Sequence, residues 1–304
     1  MHKKPLVSII CLCYNHDDFV VESLNSVLNQ NYQPIEMIII DDCSTDKSVA
    51  VIEKWLENLQ NITFIKNTKN LGNTKSFNKA AKMAKGEFLI DLATDDILLN
   101  NCVAIQIERF NTTKHPNVAV VYSNVAIIDE KGDFLENYFP TNPDGKLLTK
   151  RESGDEYLRI IAGGKDAICT VGSMIKKDVY QQLNGYDETL AYEDLDFWIR
   201  ASRIYNFDFI DEVLIQKRVV ANSLTANFHL KKSALSKKIN YSTYQIIKKV
   251  YYLNKNKKED KAVLKRLHYE MILNFKNSHY YLVIKYALLE MKIRIRLITK
   301  ILFL

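Results

Sequence analysis

The chain opens on a short, continuously apolar run, "LVSIICLC" (6–13). It follows this with "DDFVVESLNSVLNQ", in which Phe19, Val20, Leu24, Val27 and Leu28 recur at helical spacing. A strand feeds a helix, and the unit repeats. "EMIII" precedes "TDKSVAVIEKWLENL", "ITFIK" precedes "NTKSFNKAAKMAKG", "EFLIDL" precedes "LNNCVAIQIERFN", and "VAVVYS" closes the series. Strands that are apolar throughout and alternate with helices predict an α/β fold with a mostly parallel sheet flanked by helices.

After Ser123 the alternation breaks. "NVAIIDEKGDFLENYF" predicts a hairpin around Lys131 and Gly132, and Pro140 and Pro143 mark a loop. A helix near 153–162, a strand "CTVGSMI" and a helix "KKDVYQQLNG" ending at Gly185 come next. "YEDLDFWIRASRIY" predicts a helix with Leu195, Trp198, Ile199 and Ser202 inward, and "FDFIDEVLIQKRV" a strand pair. From Phe228 onward the pattern is helical and lacks glycine, which predicts a C-terminal helical appendage.

Charge sharpens that division. Residues 225–304 hold 18 Lys and Arg against 4 Asp and Glu, whereas residues 1–224 hold 24 against 32. An acidic body with a basic tail predicts a domain over 1–224, with a nucleotide-binding half at 1–123 and an acceptor-binding half at 124–224, and a basic helical region over 225–304. The five cysteines form no CxxC pair, which fits a reducing compartment, and Cys11 and Cys13 on one strand face are expected to fill space. With no room for a leader before the first strand and no uncharged apolar run of about 18 residues, a cytoplasmic protein is expected.

The first four apolar runs each end in a polar loop: "YNHDD", "DDCSTD", "NTKNLGN" and "TDD". Ligands of open α/β sheets bind outside the carboxyl ends of the strands, so these loops are expected to line one acidic crevice. Asp41 and Asp42 stand at the end of the second strand, where a carboxylate is suited to accept the ring N–H of a uracil. Asp95 and Asp96 repel each other and are costly to desolvate unless a cation is near. Oxygen ligands at a strand end suit Mg²⁺ or Mn²⁺, which bind through one or two carboxylates and substrate phosphates. A solvated turn before the following helix accounts for that pair about as well. Glu193 and Asp194 precede an apolar helix, where a carboxylate serves either as a general base or as a first-turn acid.

Taken together, "VSIICLCYNHDDFVVESLNSVLNQNYQPIEMIIIDDCSTDKS", "NLGNTKSFNKA", "LATDDILLNN", "NGYDE" and "YEDLDFWIR" resemble the family 2 glycosyltransferases, inverting enzymes of the GT-A fold, over roughly residues 5–224. The resemblance implies a hexosyl- or N-acetylhexosaminyl-transferase that moves a sugar from a nucleotide sugar, a UDP-sugar, to a hydroxyl of a glycan or lipid-linked acceptor in cell-surface polysaccharide synthesis. It implies that Tyr14 and Asn15 border the base and ribose, that Asp42 or Asp41 bonds the base, and that Asn78 orders the loop beside the nucleotide. Asp95 and Asp96 serve the ribose and a Mn²⁺ or Mg²⁺ ion, and Asp194 is the base with Glu193 orienting it. Three positions depart from the family's pattern: Ala93 replaces a carboxylate, Phe77 an arginine and Val220 a histidine. Lys75 and Lys79 are left as cations near Phe77, and Arg218 is a candidate to neutralise the diphosphate.

Other functions fit less of the chain. A receiver-like domain would end near residue 125, and a nucleotidyltransferase would open with a glycine-rich loop that "CYNHDD" lacks. The alternative is a catalytically impaired GT-A scaffold that binds nucleotide sugars without turnover. The basic tail is too apolar for a nucleic-acid arm. Lys285, Lys292, Arg296 and Lys300 share one helical stripe amid Ile, Leu and Phe, with Ile293, Leu297, Ile301 and Phe303 expected to bury in lipid. That pattern predicts a helix lying on an anionic membrane, peripheral at the inner face of the plasma membrane.

Overall fold

The computed structural model describes residues 4–149, 151, 156–164, 168, 169, 171–192, 194–220 and 227–302, the side chains of 300–302 excepted. Glu193 lies outside the described residues, as do the side chains of Lys300, Ile301 and Phe303. The chain divides into two compact units.

The first unit comprises residues 1–155, 169–188 and 204–219 and holds the whole sheet. Strands β1 (Val7–Cys13), β2 (Ile35–Asp41), β3 (Thr63–Lys66) and β4 (Phe88–Ala93) pair in parallel in the order β3-β2-β1-β4. Helices α1 (Val20–Leu28), α2 (Ser48–Leu56) and α3 (Asn73–Met83) make the crossovers. All seven residues of β1 are buried, which is why "VSIICLC" is apolar on both faces. The chain runs from β1 outward to β3 and then returns to the other side of β1 as β4, so the order reverses at β1 and opens a crevice there.

Beyond β4 the sheet is mixed. A two-residue strand β5 (Ile97–Leu98) precedes α4 (Cys102–Thr112), and β6 (Val118–Ile128) and β7 (Phe134–Asn137) form the expected hairpin. Then β8 (Met174–Lys176) runs antiparallel to both β4 and β6, and β9 (Asn206–Arg218) runs parallel to β6. The α/β sheet and its flanking helices are as expected, but two strands are longer than the pattern suggested. β6 continues through Asn124 to Ile128, and β9 is one strand and not a pair. Both readings failed at a bulge. The β6–β9 register shifts between Ser123 and Asn124, where β9 carries the two extra residues Asp211 and Glu212, and this polar pair in β9 together with the buried Ser123 and Asn124 in β6 mimics a turn in the sequence.

Close approach explains Gly86. A Cβ there would lie 2.6 Å from the Ser8 backbone nitrogen, so only glycine lets the chain enter β4 beside β1. Gly185, after α6 (Lys177–Gln182), has φ +64 and ends that helix in the left-handed conformation expected of it.

The second unit comprises residues 156–168, 189–203 and 220–304. It contains α5 (Tyr157–Ala162), α7 (Asp194–Ser202), α8 (Ala234–Leu253), α9 (Lys257–Lys276) and α10 (Tyr280–Leu302). Ser233 and Asn256 cap α8 and α9 by accepting from the N–H three residues on. Ile239, Ile246, Val263, Leu267, Leu282, Tyr286, Leu289 and Ile293 form its core. Two parts of the expected lipid stripe are therefore corrected. Ile293 is buried in protein, and Arg296 donates to the Asp260 carboxylate and to the Tyr251 carbonyl at 2.6 Å, so neither is available to a bilayer.

Candidate active site

Register brings the acidic loops together. Cys13 stands opposite Asp41 and Leu12 opposite Ala93, so the loops after β1, β2 and β4 leave the sheet side by side. The ladder continues past the strands: Asp42 N–H donates to the Cys13 carbonyl, Thr94 N–H to that of Leu12 and Asn67 N–H to that of Asp41, each at 2.9 Å.

The loop after β1 is latched to the loop after β2. Asn15 adopts φ +57, its N–H donates to Ser44 Oγ at 2.9 Å, and its Oδ1 accepts from the Thr45 N–H at 2.8 Å. His16 N–H donates to Ser48 Oγ and Asp17 N–H to Asp46. Against the effect of its burial, hydrogen bonds from Ser48 and from the Asp17 N–H hold the Asp46 carboxyl below its ordinary range. Tyr14 is exposed.

Asp41 and Asp42 are both buried and have different tasks. Asp41 accepts from the N–H and hydroxyl of Ser44, which shapes the turn. Asp42 organises the loop after β3: its Oδ1 accepts from Asn67 Nδ2, Leu71 N–H and Ser76 Oγ at 2.8–2.9 Å, and its Oδ2 from Gly72 N–H at 2.7 Å. With Gly72 N–H on Oδ2, that oxygen has a second lone pair.

Asp95 and Asp96 form the tight turn after β4. Asp96 is buried, and that burial together with the Asp95 charge pushes its carboxyl well above the ordinary range. Lys217 and the N–H and guanidinium of Arg218 oppose the rise. His16 reaches the same turn, its Nδ1 2.9 Å from Thr94 Oγ1 and its Nε2 3.8 Å from Asp95 Oδ2. No group of three or more His, Cys, Asp or Glu able to hold a metal occurs among the described residues. A divalent cation beside the pair would offset the Asp95 charge that, after burial, raises Asp96, so the two carboxylates are compatible with such an ion.

Two expectations take another form. Asn78 is buried: its Nδ2 donates to the Tyr186 carbonyl and to Glu188, and its Oδ1 accepts from Tyr180 OH and Tyr186 N–H, so it ties α3 to the "NGYDE" segment. Phe77 beside it is buried against Tyr180 and Tyr186, which accounts for an aromatic residue there. Arg218 is buried beneath the Asp95–Asp96 turn and donates to the carbonyls of Asp95, Asp129 and Glu130 and to Glu22. Its guanidinium braces the turn and is not spent on phosphate. Lys75 is exposed, whereas Lys79 donates to Asn67 Oδ1 at 2.7 Å.

His16 and Glu22 were missed by sequence reasoning. Neither sits in a local pattern that signals its role, since their partners lie 78 and 196 positions away. Burial raises the thiols of Cys11 and Cys102, and pushes Cys13 up to about 11, which disfavours the thiolate at all three.

In the second unit, Asp194 occupies the first turn of α7, where Oδ1 accepts from the Leu195 N–H at 2.6 Å. Asp196, two residues on in the same first turn, is buried and binds Arg200 and Lys249 at 2.7 and 2.6 Å, joining α7 to α8. Tyr192 is buried before the helix, its hydroxyl 2.8 Å from Thr243 Oγ1.

The sequence profile of glycosyl transferase family 2 matches residues 8–183, from β1 to α6. The chain belongs to that family. An uncharacterized glycosyltransferase of Methanocaldococcus jannaschii is 30% identical to this family 2 glycosyltransferase over 219 residues, 71% of each chain. Chondroitin synthase of Escherichia coli is 26% identical over 216 residues, which are 70% of this chain and 29% of that protein. The fold is that of GT-A enzymes. It resembles S. aureus TarS in complex with UDP-GlcNAc (TM-score 0.60, 18% identity, 84% of this chain and 70% of that one). It also resembles the mannosyltransferase PcManGT of Pyrobaculum calidifontis in complex with GDP-Man and Mn2+ (TM-score 0.61, 17% identity, 94% of this chain and 74% of that one).

Proposed function

We propose that this glycosyltransferase transfers a sugar from a UDP-sugar to a hydroxyl of a glycan or lipid-linked acceptor with inversion, in the synthesis of a cell-surface polysaccharide. The observation that carries the reading is the register that sets the Tyr14–Asn15, Asp41–Asp42 and Asp95–Asp96 loops side by side where the strand order reverses. Tyr14 and Asn15 border the base and ribose, and the remaining Oδ2 lone pair of Asp42 accepts the uracil N3–H. Asp95 meets the ribose, and Asp95 and Asp96 would hold Mn²⁺ or Mg²⁺. When bound, such an ion neutralises charge on the departing nucleoside diphosphate. Two structural neighbours, one in complex with UDP-GlcNAc and one with GDP-Man and Mn2+, support a nucleotide-sugar donor and a divalent ion.

Asp194 acts as the general base, with Glu193 orienting it. It takes the proton of the acceptor hydroxyl while that oxygen bonds to the anomeric carbon, and the bond from that carbon to the diphosphate oxygen breaks. One displacement inverts the centre without a covalent intermediate. The basic C-terminal helices hold the enzyme at an anionic membrane surface, where a lipid-linked acceptor is presented.

Calorimetry of UDP binding in Mn²⁺ tests the donor site. Wild-type protein should bind UDP more tightly with Mn²⁺ than with EDTA, and Asp95→Asn and Asp96→Asn should remove the difference. If both variants keep the full Mn²⁺ effect, the metal assignment is wrong.

A further inference from the structure

The second unit leaves one long face of α10 without a partner among the described residues. Tyr281, Ile284, Leu288, Met291, Ile295 and Ile298 are each 51–60% exposed, yet all six are large and apolar. Their spacing alternates three and four, so at about 100° per residue they form one continuous stripe. It lies opposite the buried stripe of Leu282, Tyr286, Leu289 and Ile293. The helix is thus apolar on two opposite faces, and only one of them is covered by the described residues of this unit.

Charge decides what covers the other. Lys285 and Lys292 run along one border of the exposed stripe and Arg294 along the opposite border. The acid of this helix, Glu290, already pairs with Arg294 at 2.5 Å. If a second copy packed along the stripe, these cations would sit at the flanking positions where paired helices need opposite charges, and like would meet like. An anionic lipid surface complements them. The Lys285 ammonium sits 4.8 Å from the Tyr281 ring centroid, and Phe275 and Tyr280 are exposed beside that end of the helix at a ring separation of 5.7 Å. Tyrosines and lysines grouped in this way suit the headgroup level of a bilayer. No described helix is long and apolar enough to cross a membrane.

We infer that α10 docks flat on an anionic bilayer through the Tyr281–Ile298 apolar stripe, with Lys285, Lys292 and Arg294 at the headgroups. This deepens the membrane contact in the proposed function and rests on it. It reverses the orientation that the basic stripe alone suggested, since the apolar face enters the lipid and the cations form its border.

The test uses the full chain with phosphatidylcholine vesicles, with and without phosphatidylglycerol, at low and high salt. Wild-type protein should co-sediment only with the anionic vesicles and detach as salt rises. Leu288→Glu with Ile295→Glu, both at exposed positions, should lower partitioning about tenfold or more with unchanged circular dichroism. Lys292→Glu should weaken binding at low salt but not at high salt. The inference is overturned if wild-type protein ignores anionic vesicles, or if the double variant binds as wild type does. It is equally overturned if sedimentation shows a wild-type dimer that the double variant makes monomeric. UDP binding measured without vesicles reports on the donor site separately, so failure of either leaves the other standing.

Discussion

Arg218 holds Asp96 from below: its backbone N–H donates to Asp96 Oδ1 at 2.9 Å while its guanidinium donates to the Asp95 carbonyl at 3.1 Å. One residue at the end of β9 thereby positions both carboxylates of the turn after β4. Removing the side chain leaves the carbonyls of Asp95, Asp129 and Glu130 without that donor. Arg218→Ala should cost about 3 kcal/mol in a urea melt, and Arg218→Lys somewhat less, because lysine lacks the planar fork. Both should also weaken Mn²⁺-dependent UDP binding. Wild-type stability in Arg218→Ala would show that the brace is dispensable.

Asp194 distinguishes a base from a helix-start acid. Asn at this position still accepts from the Leu195 N–H and forfeits only the favourable charge at the helix N-terminus, so Asp194→Asn should change stability by less than about 1 kcal/mol. Transfer to acceptor should fall by roughly 10²–10⁴ while UDP affinity is unchanged. Near wild-type turnover would reduce Asp194 to a cap of α7.

Asn78 is a packing residue with four polar contacts. Asn78→Ala should destabilise by about 2–4 kcal/mol, because the Tyr180 hydroxyl and both the Tyr186 N–H and carbonyl each lose one hydrogen bond. Asn78→Asp should be worse, since a carboxylate oxygen would then face Glu188 and the Tyr186 carbonyl. Chemical denaturation of the two variants gives the order directly.

His279 should contribute to the acid sensitivity of the second unit between about pH 6.5 and 5. Its ring is buried, neither nitrogen has a hydrogen-bond partner, and burial with the nearby Lys237 charge lowers its pKa. A depressed folded pKa means that the unfolded chain binds the proton more readily, so His279 costs nothing above about pH 6.5 and loses stability below it. The slope is at most about 1.4 kcal/mol per pH unit. His279→Gln should flatten the melting temperature between roughly pH 6.5 and 5. An unchanged profile would place the sensitivity elsewhere.

The alternation of apolar runs and amphipathic helices was enough to read the parallel half of the sheet, because a strand buried on both faces and a helix buried on one leave different periods in the chain. The same local signal placed Tyr14, Asn15, Asp41, Asp42, Asp95 and Asp96 at strand ends, and the C-terminal helices by their period. What it could not carry were relationships between distant segments. Whether β9 is one strand depends on a bulge against β6, and whether Arg218 meets phosphate or a backbone carbonyl depends on a turn 123 positions earlier. Asn78 likewise reads as a polar loop neighbour until Tyr186 closes over it, 108 positions on. The tail shows the same limit: a helix with apolar residues on two faces has one sequence pattern, and only packing against Tyr251 and Asp260 decides which face is spent inside the protein and which is left to meet something else. Periodicity records that a side chain must be buried. Tertiary structure decides against what.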